Sequence, residues 1–251
     1  MRRLVAQPLD DAEVEAAYAD LAGRRVEGRP YVVVNMVASV DGAIAVEGRT
    51  EGLSTRADRM VFHFLRSLAD VILVGAQTVR AEHYGPPRLS DDRREARRHR
   101  GQRPLPSIAV VSGRLALDWS SRFFTDSPVR PLVVTPSGAD PDRLQEAERV
   151  ADLVMAGEAS VDLGAALGEL HRRGASVVLG EGGPTLNGQL AALDLIDELC
   201  LTVSGSLVGG NATAGLLGHT PLPAPLRLTM TQVLEDEDEG DLFLRYRRPG
   251  R

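Results

Sequence analysis

The chain has 251 residues, 43% of them hydrophobic and 25% charged, with a formal net charge of -6; that size and balance suit one large α/β domain or two small ones. A negative charge and an aromatic content of 4% exclude a phosphate-backbone binder and a stacking platform for single-stranded nucleic acid. The single cysteine, Cys200, excludes an internal disulfide and a cysteine-based zinc cluster.

No apolar run reaches bilayer length, and the charged residues 1–20 lack a signal-peptide core. A cytoplasmic protein with no membrane partner is expected. Residues 12–22 read as a short amphipathic helix and 24–30 as a polar linker. Residues 31–38 are apolar and β-branched, the pattern of a buried strand. The turn Ser39-Val40-Asp41-Gly42 closes that strand. An Asx-Gly pair suits a tight turn, and an Asp at the carboxyl end of a strand is equally placed to enter a cleft.

A helix capped near Ser54 or Thr55 runs through Met60 to Ser67. Residues 71–75 form the next strand, and Gly75 opens a turn into a helix starting near Thr78. Residues 84–106, rich in Arg and Pro, read as a long loop or insertion. Within it Arg93, Arg94, Arg97, Arg98, Arg100 and Arg103 mix with Asp91, Asp92 and Glu95, the composition of a solvated helix face. Further strands are expected at 107–111, 131–135 and 151–155, and a helix at 164–173.

The segment from Ser176 to Leu186 is the richest in chemistry. A short apolar strand feeds Gly180-Glu181-Gly182-Gly183-Pro184-Thr185-Leu186 and then a helix through residue 195. Glycines let the backbone bend sharply and approach a ligand. Pro184 suits the first helical position, and the free amides of that turn make an anion seat. The Gly75 turn repeats the logic, which points to a dinucleotide. Neither a G-x-G-x-x-G fingerprint nor a P-loop is present.

Runs without polar alternation, separated by helices, predict a mainly parallel sheet covered on both faces. The C-terminal end departs from this. Residues 197–207 form a long strand, and 226–234 faces 241–246 across an acidic turn as an antiparallel hairpin. One domain is expected, with residues 1–29 as helix and linker and 30–248 as core. The five histidines, His63, His83, His99, His171 and His219, have no partner at ligand spacing, so no metal site is expected. Cys200 reads as a small core residue.

Taken together and in order, three segments carry a family resemblance. Asn35-Met36-Val37-Ala38-Ser39-Val40-Asp41-Gly42 resembles the N-x-x-x-S-x-D-G opening of the riboflavin-biosynthesis reductases. Residues 65–79, from Leu65-Arg66 through Asp70 to Gly75, Thr78 and Val79, resemble their L-R-x-x-x-D-A-I-L-x-G-x-x-T-V segment. Glu181-Gly182-Gly183 with Leu186, and Leu195-Ile196-Asp197-Glu198-Leu199 downstream, resemble their E-G-G-x-x-L and L-[IV]-D-E-L motifs. The resemblance covers residues 31–247. It implies a dihydrofolate-reductase-like three-layer fold, and a reductase that moves hydride from NADPH to C1′ of the ribosylamino group of a pyrimidine phosphate.

By the same resemblance, Gly75, Thr78, Gly182, Gly183, Pro184, Thr185 and Leu186 cradle the cofactor pyrophosphate, and Val37 and Ala38 lie beneath its nicotinamide. Glu181 contacts the substrate near the reacting centre, Asp41 borders the same cleft, and Arg66 is a further substrate contact. Ser112 and Arg114 are candidates for the adenosine 2′-phosphate. A homodimer is implied, through strands near residues 199–208. The chain departs from the family where Ala43 replaces a cation after S-x-D-G, and where Glu82-His83-Tyr84-Gly85-Pro86-Pro87-Arg88-Leu89 replaces D-D-P-x-L-T-x-R. Those departures leave two alternatives open: a pterin or dihydrofolate-type reductase on the same scaffold, and a non-catalytic nucleotide-binding protein.

Overall fold

Alternation of side chains along the central strands divides the interior into separate apolar faces. In the computed structural model, which describes residues 9–209 and 215–250, the elements in chain order are α1 (Asp11–Tyr18), β1 (Tyr31–Ser39), α2 (Arg56–Leu68), β2 (Val71–Gly75), α3 (Ala76–Ala81) and α4 (Asp91–His99). They continue with β3 (Ser107–Val111), α5 (Arg122–Thr125), β4 (Leu132–Thr135), α6 (Pro141–Val150), β5 (Asp152–Met155) and α7 (Leu163–Arg172). The last are β6 (Val177–Gly180), α8 (Pro184–Ala192), β7 (Glu198–Ser204), β8 (Thr229–Glu235) and β9 (Leu242–Arg247). One nine-stranded sheet joins them in the order β5-β4-β3-β2-β6-β1-β7-β9-β8. It is parallel from β5 to β7, and β9 and β8 close it antiparallel.

Val32 and Val34 of β1, with Val71 and Leu73 of β2, bury against Leu167 and Leu170 of α7 and Leu190 of α8. The alternate residues Tyr31 and Val33 face Val61, Phe64, Leu65 and Leu68 of α2, with Val14 and Tyr18 of α1. Ile72, Val74, Ile108 and Val110 cover Phe123, Phe124 and Ala147 further along the sheet. Helices therefore shield both faces, as the unbroken apolar strands require. Cys200 is buried in this core, and burial pushes its thiol pKa up.

The two carboxylates of the Asp197-Glu198 pair, both fully buried, tie down the amino-terminal edge of the sheet. Arg29 makes a bidentate pair with Asp197 at 2.6 and 2.7 Å, and the Val32 amide donates to the same carboxylate at 2.8 Å. Glu198 accepts from the Tyr31 hydroxyl at 2.9 Å and pairs with Arg245 and Arg247. Asp70 does similar work between β2 and β6. It accepts the Ser176 and Val177 amides at 2.8 and 3.0 Å and the Gln102 side-chain amide at 2.8 Å. Asp70→Ala strands those backbone donors and is expected to cost about 2 kcal/mol. An unchanged urea midpoint would contradict this.

Within residues 84–106 the helix face carrying the basic run is α4, but that run is only partly solvated. Arg97 is 1% exposed and donates to the Ser67, Ala69 and Arg103 carbonyls at 2.6 to 2.9 Å. Arg100 reaches Ser67 and Gln102 reaches Leu68, both at 2.9 Å. These side chains satisfy the orphan carbonyls at the C-terminus of α2. Burial lowers the Arg97 pKa to about 10, which leaves it charged at neutral pH. β7 is paired on both edges, to β1 and β9.

Candidate active site

The carboxyl ends of β1, β2 and β6 open together, as ligand-binding edges of α/β sheets do. A cavity of about 640 Å³ lies there. Its floor is made by two strand-to-helix turns pressed together. The Gly75 amide donates to the Gly182 carbonyl at 2.7 Å, and the Glu181 amide donates to the Leu73 carbonyl at 2.9 Å. Gly182 has φ +82°, a left-handed conformation that disfavours side chains. The Gly182–Gly183 peptide is cis. A Cβ on Gly183 would stand 2.7 Å from Thr78 Oγ1.

Pro184 opens α8, as its fixed φ and missing donor allow. The first α-helical bond runs from the Asn187 amide to the Gly183 carbonyl. The amides of Thr185 and Leu186 precede it and are helix-end donors beside the cavity that both residues line. This cradle of close backbone, short side chains and helix-end donors fits a phosphate-bearing cofactor.

Glu181 occupies the bend, its side chain 3% exposed. Arg66, from the last turn of α2, donates from Nε and Nη2 to the two Glu181 oxygens at 2.7 and 2.6 Å. The same Nη2 donates to the Tyr84 hydroxyl at 2.8 Å. The guanidinium lies 4.1 Å from the Phe62 ring centroid. Such a bidentate, stacked pair fixes the carboxylate in one orientation.

Further along, α2 presents Asp58, Arg59, Phe62 and His63 to the same space. Burial raises the Asp58 pKa above its usual 3.8, only partly offset by the Ser54 and Thr202 hydroxyls and Arg59. Desolvation, with the nearby guanidiniums of Arg66, Arg93 and Arg59, lowers the His63 pKa, so its ring is neutral at pH 7. Sequence reasoning missed this face. Its one visible signal is the four-residue spacing of Asp58, Phe62 and Arg66 on a predicted helix.

Over residues 30–239 the sequence matches the RibD C-terminal domain. The chain belongs to that family. It is 36% identical to the 2,5-diamino-6-ribosylamino-4(3H)-pyrimidinone 5′-phosphate reductase of Archaeoglobus fulgidus over 186 residues, 72% of this chain and 83% of that protein. The enzyme of the same name from Methanothermobacter thermautotrophicus is 34% identical, over 72% of this chain and 81% of its own length. The crystal structure of a pyrimidine reductase-like protein from Corynebacterium diphtheriae superimposes with a TM-score of 0.80 at 28% identity, covering 87% of this chain and 91% of that one.

Within this RibD-type frame, Val37, Gly75, Thr78, Glu181, Gly183, Pro184, Thr185 and Leu186 share the cavity wall. Gly182 stands directly behind it, bonded to Gly75. The other expected residues are elsewhere. Arg66 and Ala38 do not line the cavity, and Arg66 acts on it through Glu181. Asp41 does not border it either. Its carboxylate accepts the Ser39 hydroxyl at 2.5 Å and the Val208 and Gly209 amides at 3.2 and 2.7 Å. The Ser39 hydroxyl, then those two amides, lower its pKa to about 2. Ser112 and Arg114 follow β3 on the same sheet edge but outside the cavity. Among the described residues no helix is long and apolar enough to cross a membrane.

Proposed function

We propose that this chain is an NADPH-dependent reductase of riboflavin biosynthesis, reducing the ribosylamino C1′ of a pyrimidine phosphate. The supporting observation is the meeting, in one cavity, of the Gly75–Thr78–Gly183 cradle and the Arg66-fixed carboxylate of Glu181. The RibD-family match and the likeness to two pyrimidinone 5′-phosphate reductases support the substrate class.

Gly183, Thr185 and Leu186 hold the pyrophosphate against the start of α8, with Thr78 opposite. Val37 supports the nicotinamide, and Ser112 and Arg114 receive the adenosine end. The bound cofactor supplies a hydride at the substrate's C1′. This chain supplies orientation and charge. Opening the ribosyl ring would give a C1′=N imine that takes one proton from solvent at nitrogen, and hydride addition at C1′ would then form the new C–H bond and leave a neutral amine. Glu181, immobilised by Arg66, stabilises the positive charge on that protonated imine and orients the sugar. Asp41 is assigned no part in the step, since its carboxylate holds the Ser39 hydroxyl and the Val208 and Gly209 amides outside the cavity. A homodimer is the proposed assembly.

NADPH oxidation by the purified chain, followed against a panel of ribosylaminopyrimidine phosphates and dihydropterins, tests the reading. Turnover of the pyrimidine phosphates supports it, and turnover of dihydropterins alone replaces it with a pterin reductase. Gly183→Val, which drives a side chain into Thr78, is expected to weaken NADPH binding about tenfold to a hundredfold. Fluorescence titration of the cofactor checks this, and an unchanged affinity would remove the cradle assignment.

A further inference from the structure

We propose that Asp58 reads the heterocycle of the substrate, selecting a 2-amino-4-oxopyrimidine ring over a 2,4-dioxopyrimidine ring. This deepens the reductase reading and rests on it for the substrate class.

Among the described residues three carboxylates line the cavity: Asp58, Glu82 and Glu181. Two are accounted for. Glu181 is paired with Arg66, and Glu82 accepts the Thr50 amide at 2.9 Å. Asp58 differs from both. It is 6% exposed, and its side-chain partners are hydroxyls, Ser54 Oγ at 2.6 Å and Thr202. The neighbouring Arg59 donates instead to the Ser54 carbonyl at 2.8 Å. An ionised carboxylate has about four acceptor sites, so the Ser54 and Thr202 hydroxyls leave Asp58 capacity to accept further donors from a ligand in the cavity it lines.

The ligand group that suits such a carboxylate is a pair of adjacent N–H donors, because a carboxylate offers two oxygens side by side. A 2-amino-4-oxopyrimidine presents such a pair, the ring N3–H and the exocyclic 2-amino group. A 2,4-dioxopyrimidine places a carbonyl oxygen beside N3–H, so one carboxylate oxygen would face lone pairs. Position supports the assignment. Asp58 and Arg66 lie on one face of α2, about 12 Å apart along the axis by helix rise. That separation allows the ring edge to meet Asp58 while the exocyclic nitrogen and C1′ reach Glu181, the carboxylate Arg66 holds.

The test compares the wild-type chain with Asp58→Asn, whose amide offers one donor and one acceptor. Turnover is measured with the two ribosylaminopyrimidine phosphates that differ only at C2. Calorimetric titration with 2,6-diaminopyrimidin-4-one and 6-aminouracil supplies a readout independent of catalysis. The wild type is expected to favour the amino form by about a hundredfold or more in kcat/KM. In Asp58→Asn that ratio falls at least about tenfold, chiefly through KM. NADPH affinity stays unchanged and the melting temperature does not drop.

A wild type that binds and turns over the dioxo ring as well as the amino ring overturns the assignment, as does a variant that keeps the wild-type preference. Selective binding of the diaminopyrimidinone without turnover of either phosphate would leave Asp58 as the reader and remove the reductase reading. Turnover without ring preference would do the reverse.

Discussion

Glu198→Ala is expected to lower the unfolding free energy by about 3–5 kcal/mol, the cost of leaving a buried guanidinium uncompensated. Arg245 is 4% exposed and donates through Nε to Glu198 Oε1 at 2.7 Å. Arg247 reaches the other oxygen at 3.1 Å, and the Tyr31 hydroxyl joins it at 2.9 Å. Without Glu198 the remaining anion is Asp20, half-exposed and 3.0 Å from Arg245. The loss also uncouples strands distant in sequence, since Tyr31 opens β1, Glu198 opens β7 and Arg245 lies on β9. Urea denaturation measures the effect, and a loss below about 1 kcal/mol would mean the cluster relaxes or hydrates. Glu198→Gln, which keeps acceptors for Tyr31 but not the charge, should fall between the wild type and alanine.

Glu181→Gln is expected to reduce kcat by about two to three orders of magnitude, the scale for removing a preorganised electrostatic partner of the reacting centre. NADPH affinity should be unchanged, because the cradle is built by Gly183, Thr78 and the start of α8. Arg66→Met should produce a comparable loss without touching the cavity, by releasing the carboxylate from its bidentate hold. The double variant should be little worse than either single one, since the two residues act as a unit. Additive losses would mean that Arg66 has a separate role, and a collapse of cofactor binding would move Glu181 to the cofactor side.

Much of the architecture is legible along the chain because it is local. Strands β2, β3 and β6 are unbroken apolar runs ended by glycine or a polar turn, and the Thr55 cap of α2 sits at its predicted start. Pro184 marks the first turn of α8 as expected. The site was legible only where backbone chemistry makes it, at Gly75 and residues 180–186. Long-range pairing is invisible to local pattern. Glu181 and Arg66 are 115 residues apart, and nothing on a predicted helix distinguishes an arginine facing solvent from one facing a carboxylate. Arg97 misleads for the same reason. Its neighbours make a solvated-looking run, and only the tertiary position of the C-terminus of α2 gives it carbonyls to cap. Asp58 stands in the first turn of α2, where the helix dipole favours an acid, and only the tertiary fold brings it to the cavity and to the Thr202 hydroxyl of β7. Asp197 and Glu198 were visible as part of a family motif, yet their work is at the edge of the sheet opposite the cavity.

The proposed hydride delivery from the cofactor to C1′ can be followed directly. With NADPH carrying deuterium at C4 of the nicotinamide, in each of the two stereochemical labels, one label should place a single deuterium at C1′ of the ribitylamino product, read by mass spectrometry and proton NMR. A product formed with hydrogen at C1′ from both labels, or label delivered to the heterocycle, would contradict this account.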